Sequence, residues 1–231
     1  MTVILGYINS NETNNISAIF SDNVETDGDV RKLVDKIIKV DDRFVLGFLG
    51  LGLVHWIVDD WIKYFEEYDN FRKAFSSIEE LSKNIETEIN FCIDSLKTEE
   101  KIPTDYYERY CNYPSGIVLL DNKEQKLYYL ELGRILMTHC EIKLQELEKG
   151  FIYEFGISAT NTNEGFIKQY YNCFDKEETI IFMKEQIREL HSRHPKEIGL
   201  LGCHFLKIDE NSSFVSCFTN KETLIKSKFC R

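Results

Sequence analysis

Proline is scarce in this chain of 231 residues, with only Pro103, Pro114 and Pro195, and no stretch is rich in glycine and serine. A flexible linker between two separately folded halves is therefore not expected, and a single domain over residues 1–231 is the default for this length. Basic charge is short as well: 28 lysines and arginines stand against 39 aspartates and glutamates, for a formal net charge of −11. Affinity for a nucleic-acid backbone comes mainly from cations that release counterions, so this balance argues against nucleic acid as a partner. Its ordinary meaning is solubility. Long apolar runs are missing too. The longest, Phe44 to Ile57, is interrupted by Gly47, Gly50, Gly52 and His55 and is too short to span a bilayer. The segment from Met1 to Tyr7 has no basic region and turns polar by Asn9, unlike a secretory signal, so the expectation is a cytoplasmic protein with no membrane partner.

What is present is the balance of a soluble globular protein, 43% hydrophobic and 29% charged. The seven cysteines, Cys92, Cys111, Cys140, Cys173, Cys203, Cys217 and Cys230, are odd in number, widely spread and mostly set in apolar runs. Reduced thiols are expected, and a disulfide framework is not.

The pattern begins with short strands at Thr2 to Asn9, Ile16 to Ser21, Leu33 to Val40 and Phe44 to Phe48, separated by polar turns at residues 11–15 and at Asp41 and Asp42. Two amphipathic helices follow. The first carries Leu53, Ile57, Trp61 and Phe65, and the second Ile78, Leu81, Ile85, Ile89, Cys92 and Leu96, with Ser77 and Glu80 as a capping box. Strands at Gly116 to Leu120, Lys126 to Leu132 and Phe151 to Ile157 precede a third helix that starts at Asp175, with Glu178 as its capping partner, and presents Ile180, Met183, Ile187 and Leu190. Two strands, Leu200 to Ile208 and Phe214 to Phe218, close the chain around a turn at residues 209–213.

Strands apolar at nearly every position, such as Val45 to Leu49 and Ile117 to Leu120, need cover on both faces. Two stacked antiparallel sheets flanked by helices, an α+β four-layer αββα sandwich, meet that need.

Several residues in the first quarter form an ordered set. Thr2 is followed by Gly6, Asp22 ends the second strand, Lys36 heads an apolar strand, and Gly47, Gly50 and Gly52 mark a turn into the first helix. In this order they resemble the proteasome β-subunit family of N-terminal-nucleophile hydrolases, and the succession of strands and helices along the rest of the chain is similar to that family's. The resemblance implies Thr2 as nucleophile, Lys36 and Asp22 as its partners, Gly50 as oxyanion-hole donor, and Phe48 and Gly52 beside the scissile bond.

The chemistry calls for these residue types. A threonine hydroxyl needs an adjacent base, which in this class is its own α-amine, of ordinary pKa about 7.7 to 8.0. A neighbouring ammonium disfavours a second positive charge and so favours the neutral amine, the role of Lys36, with Asp22 keeping the lysine charged and aimed. The Gly50 amide would hold the oxyanion, an interaction worth roughly 2.7 to 4 kcal/mol in comparable sites. The mechanism requires removal of Met1. Where the family carries a Gly-Ser-Gly turn whose serine backs the amine, this chain has Ile157 in register, or Ser158 one residue on; the family's later aspartate and serine have no clear match between His194 and Gly199.

Each residue also has an ordinary structural role: Thr2 as a strand former, Asp22 in a turn, Lys36 as a solvated charge, Gly50 and Gly52 at a bend. His191 and His194 beside Glu189 have metal-ligand spacing, but histidines near a helix C-terminus are favoured by the dipole alone, and no metal is expected. His139 with Cys140 and Cys203 with His204 sit in apolar segments, where thiols are usually inert core. Trp56, Trp61, Tyr64 and Phe65 form an aromatic stripe suited to a core or to a neighbouring subunit.

The leading expectation is a threonine peptidase acting on peptides or proteins without a cofactor, assembled into a homo-oligomeric ring and served by an ATP-dependent unfoldase. A non-catalytic structural or binding subunit of the same fold, and an amidohydrolase for small amides, are the alternatives.

Overall fold

The computed structural model of the protein describes residues 2–9, 16–22, 24–27, 30–33, 36–49, 75–98, 116–132, 141–157, 162–171, 175–199, 202–208 and 211–218. They form an α+β protein with two antiparallel sheets, a two-stranded ribbon and two helices. Gly50, Gly52 and Ser158 lie outside the described residues, as do the helix expected around Leu53 to Phe65 and the pair His139 and Cys140.

Strands β1 (Val3–Ile8) and β2 (Ile16–Asp22) are buried along their whole length, as strands covered on both faces must be. They occupy the middle of a six-stranded sheet. β10 (Phe151–Gly156) and β11 (Phe166–Tyr170) extend it beyond β1, and β12 (Gly202–Ile208) and β13 (Asn211–Phe218) extend it beyond β2. The five-stranded sheet runs in chain order through β5 (Ile37–Lys39), β6 (Phe44–Leu49), β7 (Gly116–Asp121), β8 (Lys126–Glu131) and β9 (Lys143–Leu147). Between β2 and β5 in sequence, β3 (Val24–Asp27) and β4 (Val30–Leu33) pair with each other and, among the described residues, with no other strand.

The alternation of side chains across each strand sorts the core into three clusters. Ile4, Ile8 and Ile19 meet Ile37, Val45, Val118, Leu120 and Tyr129, so this cluster lies between the sheets. On the other side of the five-stranded sheet, Phe44, Leu46, Phe48, Ile117 and Leu119 pack on Ile78, Leu81, Ile85 and Ile89 of helix α1 (Ile78–Thr98). Val3, Leu5, Tyr7, Ile16, Ala18 and Phe20 pack on Met183, Ile187 and Leu190 of helix α2 (Lys176–Arg193).

The helix starts follow from local chemistry. Ser77 Oγ accepts the Glu80 amide at 3.2 Å, while the Glu80 carboxylate turns back to the Ser76 amide and hydroxyl, at 2.9 and 2.5 Å. The return half of the expected capping box thus reaches Ser76. Asp175 Oδ1 accepts the amides of Glu177 and Glu178, at 2.6 and 3.3 Å.

Several local expectations change, and the ribbon of β3 and β4 was not foreseen. The strand foreseen from Leu33 to Val40 is split, with β4 ending at Leu33 and β5 starting at Ile37. β13 begins at Asn211 instead of Phe214. Edge strands β9 and β11 were not foreseen, because all but one residue of each is exposed and neither has an apolar face to signal it. Among the described residues, no helix is long and apolar enough to cross a membrane.

Candidate active site

The end of β2 brings the two charged residues of the sequence pattern into contact. Lys36 Nζ lies 2.7 Å from Asp22 Oδ1, with Asp22 fully buried and Lys36 only 5% exposed. Removing such ions from water costs several kcal/mol each, so the pair persists only with further hydrogen bonds around it. Those bonds are present. Lys36 Nζ also donates to the Val24 carbonyl at 2.7 Å. Asp22 Oδ1 accepts the Val3 amide at 2.9 Å, and Oδ2 accepts the amides of Val24 and Gly199, each at 3.2 Å.

Each partner comes from a different part of the fold. Val3 opens β1, Val24 opens β3, and Gly199 lies in the segment that follows α2. Lys36 stands just before β5, where its carbonyl accepts the Phe48 amide at 2.9 Å and so holds the lysine backbone to β6. The Lys36 side chain consequently links the five-stranded sheet to β2 of the six-stranded sheet.

Thr2 is partly exposed and immediately precedes the amide that Asp22 binds. The Thr2–Val3 peptide and the Lys36 ammonium therefore share one carboxylate oxygen. On the other side, Val3 pairs with Gly156 of β10. Gly156 has φ +114°, and a Cβ there would fall 1.9 Å from the Thr2 carbonyl oxygen. Only glycine permits that approach. The start of β1 is clamped between a backbone without a side chain and a carboxylate.

The other expected residues have different surroundings. Phe48 shares strand parity with Phe44 and Leu46, and its buried ring packs in the cluster against α1. Ile157, partly buried, packs on the cluster beneath α2. His191 directs Nδ1 to the Ile198 carbonyl at 2.6 Å. Among the described residues, no group of three or more histidine, cysteine, aspartate and glutamate side chains is arranged to hold a metal ion.

The pattern of side chains did not disclose the Val24 carbonyl, the Gly199 amide or the space at Gly156. The first two are backbone groups, which leave no mark in a sequence. The third had a usable signal, since a glycine at a strand end often marks close backbone approach. No protein-family model and no curated protein sequence matches the chain.

The arrangement places a buried positive charge within two hydrogen bonds of the Thr2–Val3 peptide, and neutralises it with a carboxylate whose two oxygens both accept hydrogen bonds. Such a junction can hold the first residues of β1 in one position. It can also set the electrostatic environment of any reactive group at Thr2.

Proposed function

We propose that the chain is a hydrolase of the N-terminal-nucleophile class, its two sheets and two helices forming an αββα sandwich. Within that class, the reading is a threonine peptidase subunit of proteasome β type, working from Thr2 once Met1 has been removed. The observation that carries it is the buried Lys36–Asp22 pair bonded to the amide that follows Thr2.

In the proposed reaction, Thr2 Oγ adds to the carbonyl carbon of the scissile amide and its proton passes to the free α-amine. The C–N bond then breaks, the leaving amine takes that proton, and an ester to Thr2 remains. Water adds to the ester with its proton going to the same amine. Cleavage of the C–O bond releases the acid and returns the proton to Oγ. Lys36 stays charged throughout and favours the neutral amine; Asp22 keeps it in place. The reading includes peptide or protein substrates, a cytoplasmic homo-oligomeric ring and an ATP-driven unfoldase as partner.

A second reading has its own support. Asp22 accepts four hydrogen bonds from protein groups, a junction that stabilises a fold without any chemistry, and Ile157 offers no hydroxyl at the position expected to back the amine. A non-catalytic subunit of the same fold would use the pair in this way.

Intact mass after treatment with a threonine-directed β-lactone or epoxyketone separates the two. Loss of one methionine and a single adduct, absent in Thr2→Ala, is expected of the peptidase. Met1 retained in protein from its native cell, with no adduct, overturns it. Native mass adds a further distinction: an adduct on a monomer selects an amidohydrolase for small amides.

A further inference from the structure

The loop between α2 and β12 carries a hydrogen-bond path that the sequence pattern did not suggest. His191, in the last turn of α2, has its Nδ1 2.6 Å from the carbonyl oxygen of Ile198. That carbonyl belongs to the peptide whose N–H is Gly199, and the Gly199 N–H donates to Asp22 Oδ2 at 3.2 Å. We propose that His191 is a positioning residue for the Asp22–Lys36 pair, acting through the single peptide that joins Ile198 to Gly199.

The geometry assigns the donor. A backbone carbonyl only accepts, so Nδ1 carries the proton in this contact. A peptide whose oxygen accepts a hydrogen bond is polarised and donates more strongly through its N–H, so the two bonds reinforce each other. The helix dipole would favour a histidine at this end of α2 in any case. It does not explain why the ring is aimed at a carbonyl outside the helix.

The loop is built to present this peptide. Leu190 accepts the His194 amide at 2.9 Å, and the His194 carbonyl accepts the amides of Glu197 and Ile198, at 3.2 and 3.0 Å. Ile198 is fully buried in the cluster under α2, which fixes one side of the peptide. Gly199 fixes the other, because a Cβ there would lie 2.4 Å from Val24 Cγ2 and 3.0 Å from Val24 Cβ. The glycine lets the loop come up against Val24, whose carbonyl receives the Lys36 ammonium and whose amide binds the same Asp22 oxygen as Gly199.

The path from His191 to Asp22 stands on these bonds alone. Its consequence for Thr2 rests on the hydrolase reading, and the experiment separates the two. His191→Phe keeps a ring without a donor, and His191→Asn restores an N–H close to the Nδ1 position. In ¹⁵N-labelled protein, the Gly199 amide should exchange with solvent about fivefold faster in His191→Phe, as expected for weakening one hydrogen bond. Its proton resonance should move upfield, and both changes should be reversed in His191→Asn. Unchanged Gly199 exchange and shift in folded His191→Phe overturns the proposal. Should that variant not fold, the long-range ¹H–¹⁵N spectrum of the unaltered protein in mildly alkaline buffer decides: a protonated Nδ1 supports the path, and a bare Nδ1 overturns it. A β-lactone tests the consequence, with a slower maximal capture rate at unchanged half-saturation expected in His191→Phe and recovery in His191→Asn. If the unaltered protein is not captured, the hydrolase reading fails while the Gly199 signals still judge the path.

Discussion

Gly156, the register partner of Val3, lies so close to Thr2 that a Cβ on it would fall 1.9 Å from the Thr2 carbonyl oxygen. Gly156→Ala must therefore move the start of β1 or abandon the φ of +114°. The strained backbone alone should cost about 1–3 kcal/mol, with the displaced contact adding to it. Urea denaturation reads the loss. A variant as stable as the unaltered protein would show that the first residue of β1 is not clamped.

The Asp22–Lys36 pair predicts an asymmetry between single and double substitutions. Asp22→Asn leaves the Lys36 ammonium buried without its counter-ion and should destabilise by about 3–5 kcal/mol. Replacing both residues, as Asp22→Asn with Lys36→Met, removes the stranded charge and should cost less than Asp22→Asn alone. If the double variant is instead the less stable of the two, the ammonium was never dependent on Asp22. Equilibrium unfolding of the three proteins supplies the comparison.

How far the sequence spoke depended on where each residue's energy lies. β1, β2, β6 and β7 were legible because their apolar runs are buried on both faces. The described helices declared themselves through Ser77, Asp175 and apolar residues spaced three or four apart. The ribbon of β3 and β4 was hidden, since the runs VETD and VRKL mix charges with few apolar residues. At the site, Asp22 and Lys36 were paired in advance only by the family resemblance, since a turn aspartate and a solvated lysine read the same way in the side-chain pattern. Their other partners, Val24 and Gly199, act through backbone groups whose positions depend on how distant segments pack. Phe48 faces α1 because side chains alternate along β6 and it shares parity with Phe44 and Leu46.

Tyr129 gives a pH dependence of definite sign. Its phenol is buried between the sheets, and burial first, then the charge of Glu131, pushes its pKa up to about 12 from 10.0. Because the folded value is raised, the stability tied to the neutral phenol is complete below about pH 10 and is lost as pH rises through about 12. The full loss is about 3 kcal/mol. Tyr129→Phe has no phenol to ionise, so its stability should fall less than that of the unaltered protein between about pH 8 and about pH 11. Parallel slopes in urea titrations at the two pH values would contradict the assignment.

Arg43 joins the start of β6 to the end of β7 and the entrance of α1. Its Nε lies 3.0 Å from both oxygens of buried Asp121, Nη2 lies 2.7 Å from Oδ2, and Nη1 donates to the Ser76 carbonyl at 2.5 Å. A lysine cannot reproduce this fork, so Arg43→Lys should lose about 1.5–3 kcal/mol, and hydrogen exchange should quicken in the first turn of α1. Arg43→Ala should lose more, because among the described residues the Asp121 carboxylate then keeps the amides of Lys123 and Glu124 as partners, at 3.0 and 3.1 Å. Lys36 is tied to the opposite end of β6, through the Phe48 amide. The Gly199 amide resonance should therefore stay in place in both variants while their melting temperatures fall. A shift of that resonance in folded Arg43→Lys would mean that the two ends of β6 are coupled, and that the Asp22–Lys36 junction does not stand independently of the α1 entrance.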